Sequence, residues 1–110
     1  MDGWITQLRK GLVELCVLNL LRRGESYGYE IVQTLQQGGI LAVSESTVYP
    51  VLARLKLEGC LKVRDLPSPG GPPRRYFSLT AAGRARIAEM NACWGEVATE
   101  LDKLRKGGVK

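Results

Sequence analysis

The residues best equipped for chemistry in this chain are its cations. Arg54, Lys56, Lys62, Arg64, Arg74, Arg75, Arg84 and Arg86 share one segment, opposed only by Glu58 and Asp65. Eight positive charges against two negative give that stretch +6, more than the +5 of the whole chain. Positive charge gathered in this way is the footprint of a phosphate-binding face. The bland alternative is a solvated surface that happens to be basic. Just upstream stand Ser46, Thr47 and Tyr49, whose hydroxyls suit base edges and phosphate oxygens.

Catalytic chemistry is poorly served. The chain has no histidine, which removes the usual general base and the commonest zinc ligand. No serine lies in a Gly-x-Ser-x-Gly elbow, and neither a GxGxxG nor a P-loop motif occurs. Cys16, Cys60 and Cys93 are odd in number and far apart, so neither a disulfide framework nor a zinc motif is indicated. Cys16 and Cys93 sit among apolar neighbours, which points to packing, with a thiol sensor as the rival role. The expectation is a protein that is not an enzyme and uses no metal or cofactor.

The elements that must position the cations can be read from periodicity. At 110 residues there is material for one core, and 45% hydrophobic with 25% charged residues is ordinary globular composition. No apolar run approaches the ~18 residues of a membrane span. No basic patch leads into an unbroken apolar run at the start, so a cytoplasmic protein is expected. Ile5, Leu8, Leu12 and Leu15 predict a helix over about 3–22, with Val13, Val17, Leu20 and Leu21 as a second apolar strip. A helix apolar on two sides needs two partners, its own core and a candidate second subunit.

Ser26 is a candidate cap for a second helix ending at Gly38-Gly39. A third helix spans about 44–58. Ser44 as its cap leaves Pro50 beyond the first turn, whereas Thr47 as its cap brings Pro50 inside it. Residues 61–66 and 75–79 alternate as two short strands. The Pro- and Gly-rich stretch 67–73 predicts an irregular loop between them. Thr80 opens a last helix to about Lys106, with 107–110 frayed.

Three helices and a hairpin predict a mainly α (α+β) winged helix-turn-helix over 1–79, followed by a long C-terminal dimerisation helix over 80–110. In such a module the third helix enters the major groove of double-stranded DNA. Ser46, Thr47 and Tyr49 near its start are candidates for base or phosphate contact, and Arg54 and Lys56 for the backbone. Lys62, Arg64, Arg74 and Arg75 on the wing suit phosphate or the minor groove. Tyr27, Tyr29 and Tyr76 read as packing residues; Tyr49 fits either role. Ile87, Met90, Trp94, Val97, Leu101 and Leu104 are spaced 3, 4, 3, 4, 3, an a/d seam for a second copy of the chain. Leu8 and Leu12 would join that interface. Trp94 and Trp4 near the dimer axis are candidates to line a flat apolar cavity for an aromatic effector, or simply to pack the interface.

The chain resembles the PadR family of bacterial transcriptional regulators over about residues 8–85. The resemblance rests on Gly11 with Leu15, Val17-Leu18 and Leu20-Leu21, then Tyr27-Gly28-Tyr29-Glu30-Ile31. Thr47-Val48-Tyr49-Pro50-Val51-Leu52, Arg54-Leu55 and Glu58-Gly59 extend it. Arg74-Arg75-Tyr76-Phe77-Ser78-Leu79-Thr80 and Gly83 complete it. It implies a homodimeric repressor that binds an inverted repeat and is released by a small molecule or another cue. The short length resembles the subgroup with a single C-terminal dimerisation helix, some of which bind flat aromatic drugs between tryptophans of that helix. Pro72-Pro73 departs from the family's usual wing. A rival reading is a winged-helix protein-interaction module that does not bind DNA in a sequence-specific way.

Overall fold

A single amphipathic problem organises the molecule: three short apolar helix faces and one face of a hairpin must be covered together. The computed structural model describes residues 1–107. Its elements are α1 (Asp2–Leu21), β1 (Ser26–Tyr27), α2 (Gly28–Gln36), a single 3-10 turn (Gly39–Leu41), α3 (Glu45–Leu57), β2 (Leu61–Ser68), β3 (Gly71–Leu79) and α4 (Ala81–Arg105). Val17, Leu18 and Leu21 of α1 meet Ile31 and Val32 of α2, Val48, Leu52 and Leu55 of α3, and Leu61, Phe77 and Leu79 of the sheet. Ile87 of α4 closes this core.

The expected helices are present, and the mainly helical winged-helix architecture holds. The sheet is antiparallel in the order β1-β3-β2. Ser26 is a strand residue here: Ser26 and Tyr27 pair with Phe77 and Tyr76. The cap of α2 therefore moves to Tyr27, whose backbone N–H donates to Glu30 Oε1 at 3.1 Å, with the Ser26 hydroxyl adding a bond to the same oxygen at 3.2 Å. Helix α3 is capped at Ser44, so Pro50 lies in its interior. Lacking an N–H, Pro50 leaves the Ser46 carbonyl without its helical donor.

The wing is longer and more regular than its composition predicts. Both strands run to a two-residue Pro69-Gly70 turn, with Ser68 opposite Gly71. Gly70 takes φ +70°, and Pro before such a glycine fits a type II turn. Pro67 sits at a bulge, and Pro72 and Pro73 stand where β1 does not reach, so none needs a ladder N–H on that side.

Helix α4 begins on a cap that the sequence identified. Thr80 Oγ1 accepts from the Gly83 N–H at 3.0 Å and donates to the Gly59 carbonyl at 2.6 Å. Asn19 of α1 and Asn91 of α4 exchange amide hydrogen bonds at 3.0 and 2.9 Å. The expected division at 79/80 follows the secondary structure, but packing runs further, because Gly83 and Ile87 belong to the winged-helix core. Ile87, expected on the dimer seam, is only 2% exposed within its own chain, and Met90 leans against the same core. The exposed seam begins at Trp94 and continues through Val97, Leu101 and Leu104. Of the tail expected to fray, 108–110 lies outside the described residues.

Candidate nucleic-acid interface

Helix α3 sorts its side chains by row. Val48, Leu52 and Leu55 are buried, whereas Ser46, Tyr49, Ala53 and Lys56 form an exposed row at helical spacing. That row borders a cleft of about 580 Å³ between α2, α3 and β3. Tyr27, Tyr29, Tyr49, Lys56, Arg75 and Phe77 line it. Gly28 lets the Tyr49 ring approach: a Cβ there would lie 3.1 Å from Tyr49 Cε1. The Tyr27 ring packs 5.5 Å from that of Tyr76 and carries the Arg74 guanidinium 4.7 Å above its face. Tyr27 and Tyr76 thus have the packing role expected of them, while Tyr29 and Tyr49 are exposed at the cleft.

Arg54 does not join this face. It belongs to the next row, with Thr47, and turns towards α1. Its Nη2 donates to Glu14 Oε1 at 2.6 Å and its Nη1 to Glu58 at 3.1 Å. Arg86 of α4 bonds the same two acids, at 2.8 Å to Glu14 and 3.0 Å to Glu58. Two guanidiniums and two carboxylates thereby tie α1, α3 and α4 together. Glu14 is the inner member, with 16% side-chain exposure against 43% and 38% for Arg54 and Arg86. Sequence reasoning missed Glu14. The available signal was an acid on an otherwise apolar helix side, which requires a cation. Glu14→Gln is expected to lower stability by about 1–2 kcal/mol in urea unfolding, since two half-exposed guanidiniums lose their shared carboxylate. Glu58→Gln, at a more exposed site, is expected to cost less.

The wing cations also divide. Side chains alternate between the faces of a hairpin, so Arg75 shares a face with Phe77 and the cleft, while Lys62 and Arg64 share the other with Ser78 and Tyr76. Arg75 bonds Asp65 at 3.3 Å, an exposed and weak pair. Arg64 forks onto Glu25, with Nε and Nη2 each 2.6 Å from a carboxylate oxygen. The hydrogen bond from Arg64 holds Glu25 below the usual carboxylate range. The pair therefore contributes at neutral pH and is lost as pH falls through that lowered value.

The tryptophans do not meet within one chain. Both lie exposed, Trp4 in α1 and Trp94 in α4. The contacts Glu14–Arg86 and Asn19–Asn91 run in the same sense along the two helices. Trp4 and Trp94 therefore point to opposite ends of that ladder, on the order of 25 Å apart at 1.5 Å per residue. Leu8 and Leu12 are half-buried on α1. Of the cysteines, Cys60 is buried and Cys16 is half-buried, its thiol pushed up by burial. Cys93, expected to pack, is exposed in the single chain. Among the described residues no group of acids and cysteines is placed to hold a metal, and no helix is long and apolar enough to cross a membrane.

Comparison with known proteins agrees with this architecture. The model of the transcriptional regulator PadR-like family matches residues 17–89. Transcriptional regulator Rv3488 of Mycobacterium tuberculosis is 33% identical over 95 residues, covering 86% of this chain and 87% of that protein. A PadR-like transcription factor from Bacteroides fragilis superposes with a TM-score of 0.76 at 36% identity, covering 94% of this chain and 99% of the other. PadR of Bacillus subtilis, solved in complex with operator DNA, matches with a TM-score of 0.67 at 26% identity, over 72% of this chain and 46% of that one. These relatives are regulators and not enzymes. The chain belongs to the PadR-like family of transcriptional regulators.

Proposed function

We propose that two copies of this chain bind an inverted-repeat operator and repress transcription by occupying it. The observation that carries this reading is the exposed α3 row beside the cationic cleft, with Ser46 and Tyr49 ahead of Lys56 and with Arg75 on the facing strand. Ser46, Thr47 and Tyr49 meet base edges or nearby phosphates, and Lys56, Arg74 and Arg75 grip the backbone on either side. Arg54 is left out because Glu14 and Glu58 occupy it, and Lys62 and Arg64 because they stand on the reverse face of the wing. The operator complex of the Bacillus subtilis relative supports a DNA ligand.

Dimerisation is assigned to the α4 seam from Trp94 to Leu104, joined by the exposed side of α1 at Trp4, Leu8 and Leu12. Because Trp4 and Trp94 stand apart in one chain, an aromatic effector site would be built across the two copies. The family's cytoplasmic setting follows from its DNA target.

The test is fluorescence anisotropy against DNA from upstream of the chain's own gene, with a scrambled duplex as control, across a salt series. Tight, salt-steep binding to the native duplex alone is expected. Lys56→Gln plus Arg75→Gln is expected to weaken all duplexes similarly and to flatten the salt slope by about 2, one unit per lost phosphate contact. An unchanged slope would remove these two residues from the interface.

A further inference from the structure

We propose that the reverse face of the wing carries a binding site for a phosphorylated small molecule, separate from the DNA-reading face. A second cavity of about 460 Å³ lies there, where the α1–β1 loop, β2, β3 and the first turn of α4 converge. Arg22, Lys62, Arg64 and Arg84 line it, with the Ser78 hydroxyl, and Glu25 is the single acid among them. Four cations against one carboxylate leave a local charge of +3 in a concave space of ligand size.

The groups are available in different degrees. Glu25 occupies Arg64 Nε and Nη2, and Arg22 Nη1 donates to Asn19 Oδ1 at 3.2 Å. Lys62 and Arg84 make no ion pair among the described residues. A phosphate dianion satisfies several such donors at once, and guanidiniums match its geometry by bidentate bonding. A duplex is a convex rod and is served by the opposite face, where Lys56 and Arg75 stand. The cavity continues past Arg22 and Arg84 into a neighbouring recess floored by Leu79, Ile87 and Ala88. That gives the organic part of the ligand an apolar surface beyond its phosphate.

The position gives the site a consequence. A ligand held by Lys62 of the wing, Arg22 after α1 and Arg84 of α4 bridges the hairpin to the base of the C-terminal helix. It would fix the angle between wing and α4, and so change operator affinity. This last step rests on the proposed DNA-binding function; the ligand site itself does not.

The experiment titrates inorganic pyrophosphate into the 15N-labelled full chain at 150 mM salt and follows amide shifts. Saturable binding is expected, with shifts confined to the 21–25, 62–64 and 78–88 stretches. Arg22→Gln plus Arg84→Gln is expected to weaken it more than 10-fold at unchanged melting temperature, while operator affinity without pyrophosphate stays within about 2-fold. Absence of saturation, shifts centred on Lys56 and Arg75, or indifference to the double substitution would each overturn the site. An equal loss of duplex affinity in the variant would reassign the cluster to DNA phosphates. If no duplex binds in any arm, the pyrophosphate result still decides the site, and only the DNA reading fails.

Discussion

Gly83→Ala is expected to cost about 3 kcal/mol of folding stability, the largest effect of any single methyl group in this chain. The Cβ it adds would overlap the Cys60 carbonyl oxygen, which is backbone and has no rotamer to yield. That carbonyl already accepts the Thr80 N–H at 3.0 Å, and Leu79 closes the other side. The start of α4 is therefore pressed against the α3–β2 junction with room for hydrogen only. Relief requires α4 to move away from the core, which also strains the Thr80 cap and the seat of Ile87. Urea unfolding would show the loss as a lowered midpoint at unchanged slope. Ala82→Gly, at the adjoining exposed position, is expected to cost no more than about 1 kcal/mol. Equal effects at the two positions would mean that helix propensity, and not the close approach, decides the result.

The other large effect concerns the α4 seam and rests on the proposed dimer. Val97→Glu plus Leu101→Glu places acids at successive seam positions that are 37% and 55% exposed in the single chain. Neither position belongs to the core, so the monomer is expected to fold with an unchanged midpoint. In a dimer the substitutions set carboxylates against one another in an apolar interface, and association should fail. Sedimentation at micromolar protein would then report a single chain. Operator affinity is expected to fall by about 100-fold or more, because each half-site then binds without the effective concentration supplied by its neighbour. A dimer that survives both substitutions would place the interface elsewhere on the surface. A monomer that retains full affinity would mean that one copy suffices on DNA.

How much of this was legible in the sequence depends on the range of the interaction concerned. Helical periodicity is a local signal, and it located α1, α3 and α4 to within a residue or two. Thr80 as a cap was equally local. The strand at Ser26–Tyr27 was not, because two residues carry no period; they become a strand only when Tyr76 and Phe77 offer a ladder fifty residues later. The wing was misjudged for a related reason. Proline and glycine were taken as breakers, yet a proline disrupts a strand only where its missing N–H has a partner to lose. Pro67, Pro72 and Pro73 occupy positions without one.

The site shows the same limit more sharply. That Arg54 was polar and on α3 could be read; that it faces Glu14 across 40 residues of sequence could not. Helical spacing separates the Tyr49–Lys56 row from the Thr47–Arg54 row, but only the packing of α1 says which row is occupied. The strand register likewise decides that Arg75 and Lys62 serve different faces, although both belong to one basic segment. Ile87 followed the 3,4 spacing of the seam faithfully and still packs inward, because the first turns of α4 lie against their own domain.

The proline-rich wing has a further consequence for the behaviour of the protein in concentrated solution. Each strand of this hairpin has an open edge near the tip, since β1 covers β3 only at Tyr76 and Phe77. Open edges of this length are templates on which another chain can add a strand. Pro67 on one side and Pro72 and Pro73 on the other take away N–H groups that such an added strand would need, and the bulge at Pro67 interrupts the register. The hairpin can therefore project far from the core, as a probe of a duplex must, without recruiting its neighbours into aggregates. Replacing those prolines with β-formers would extend the ladder at the expense of solubility.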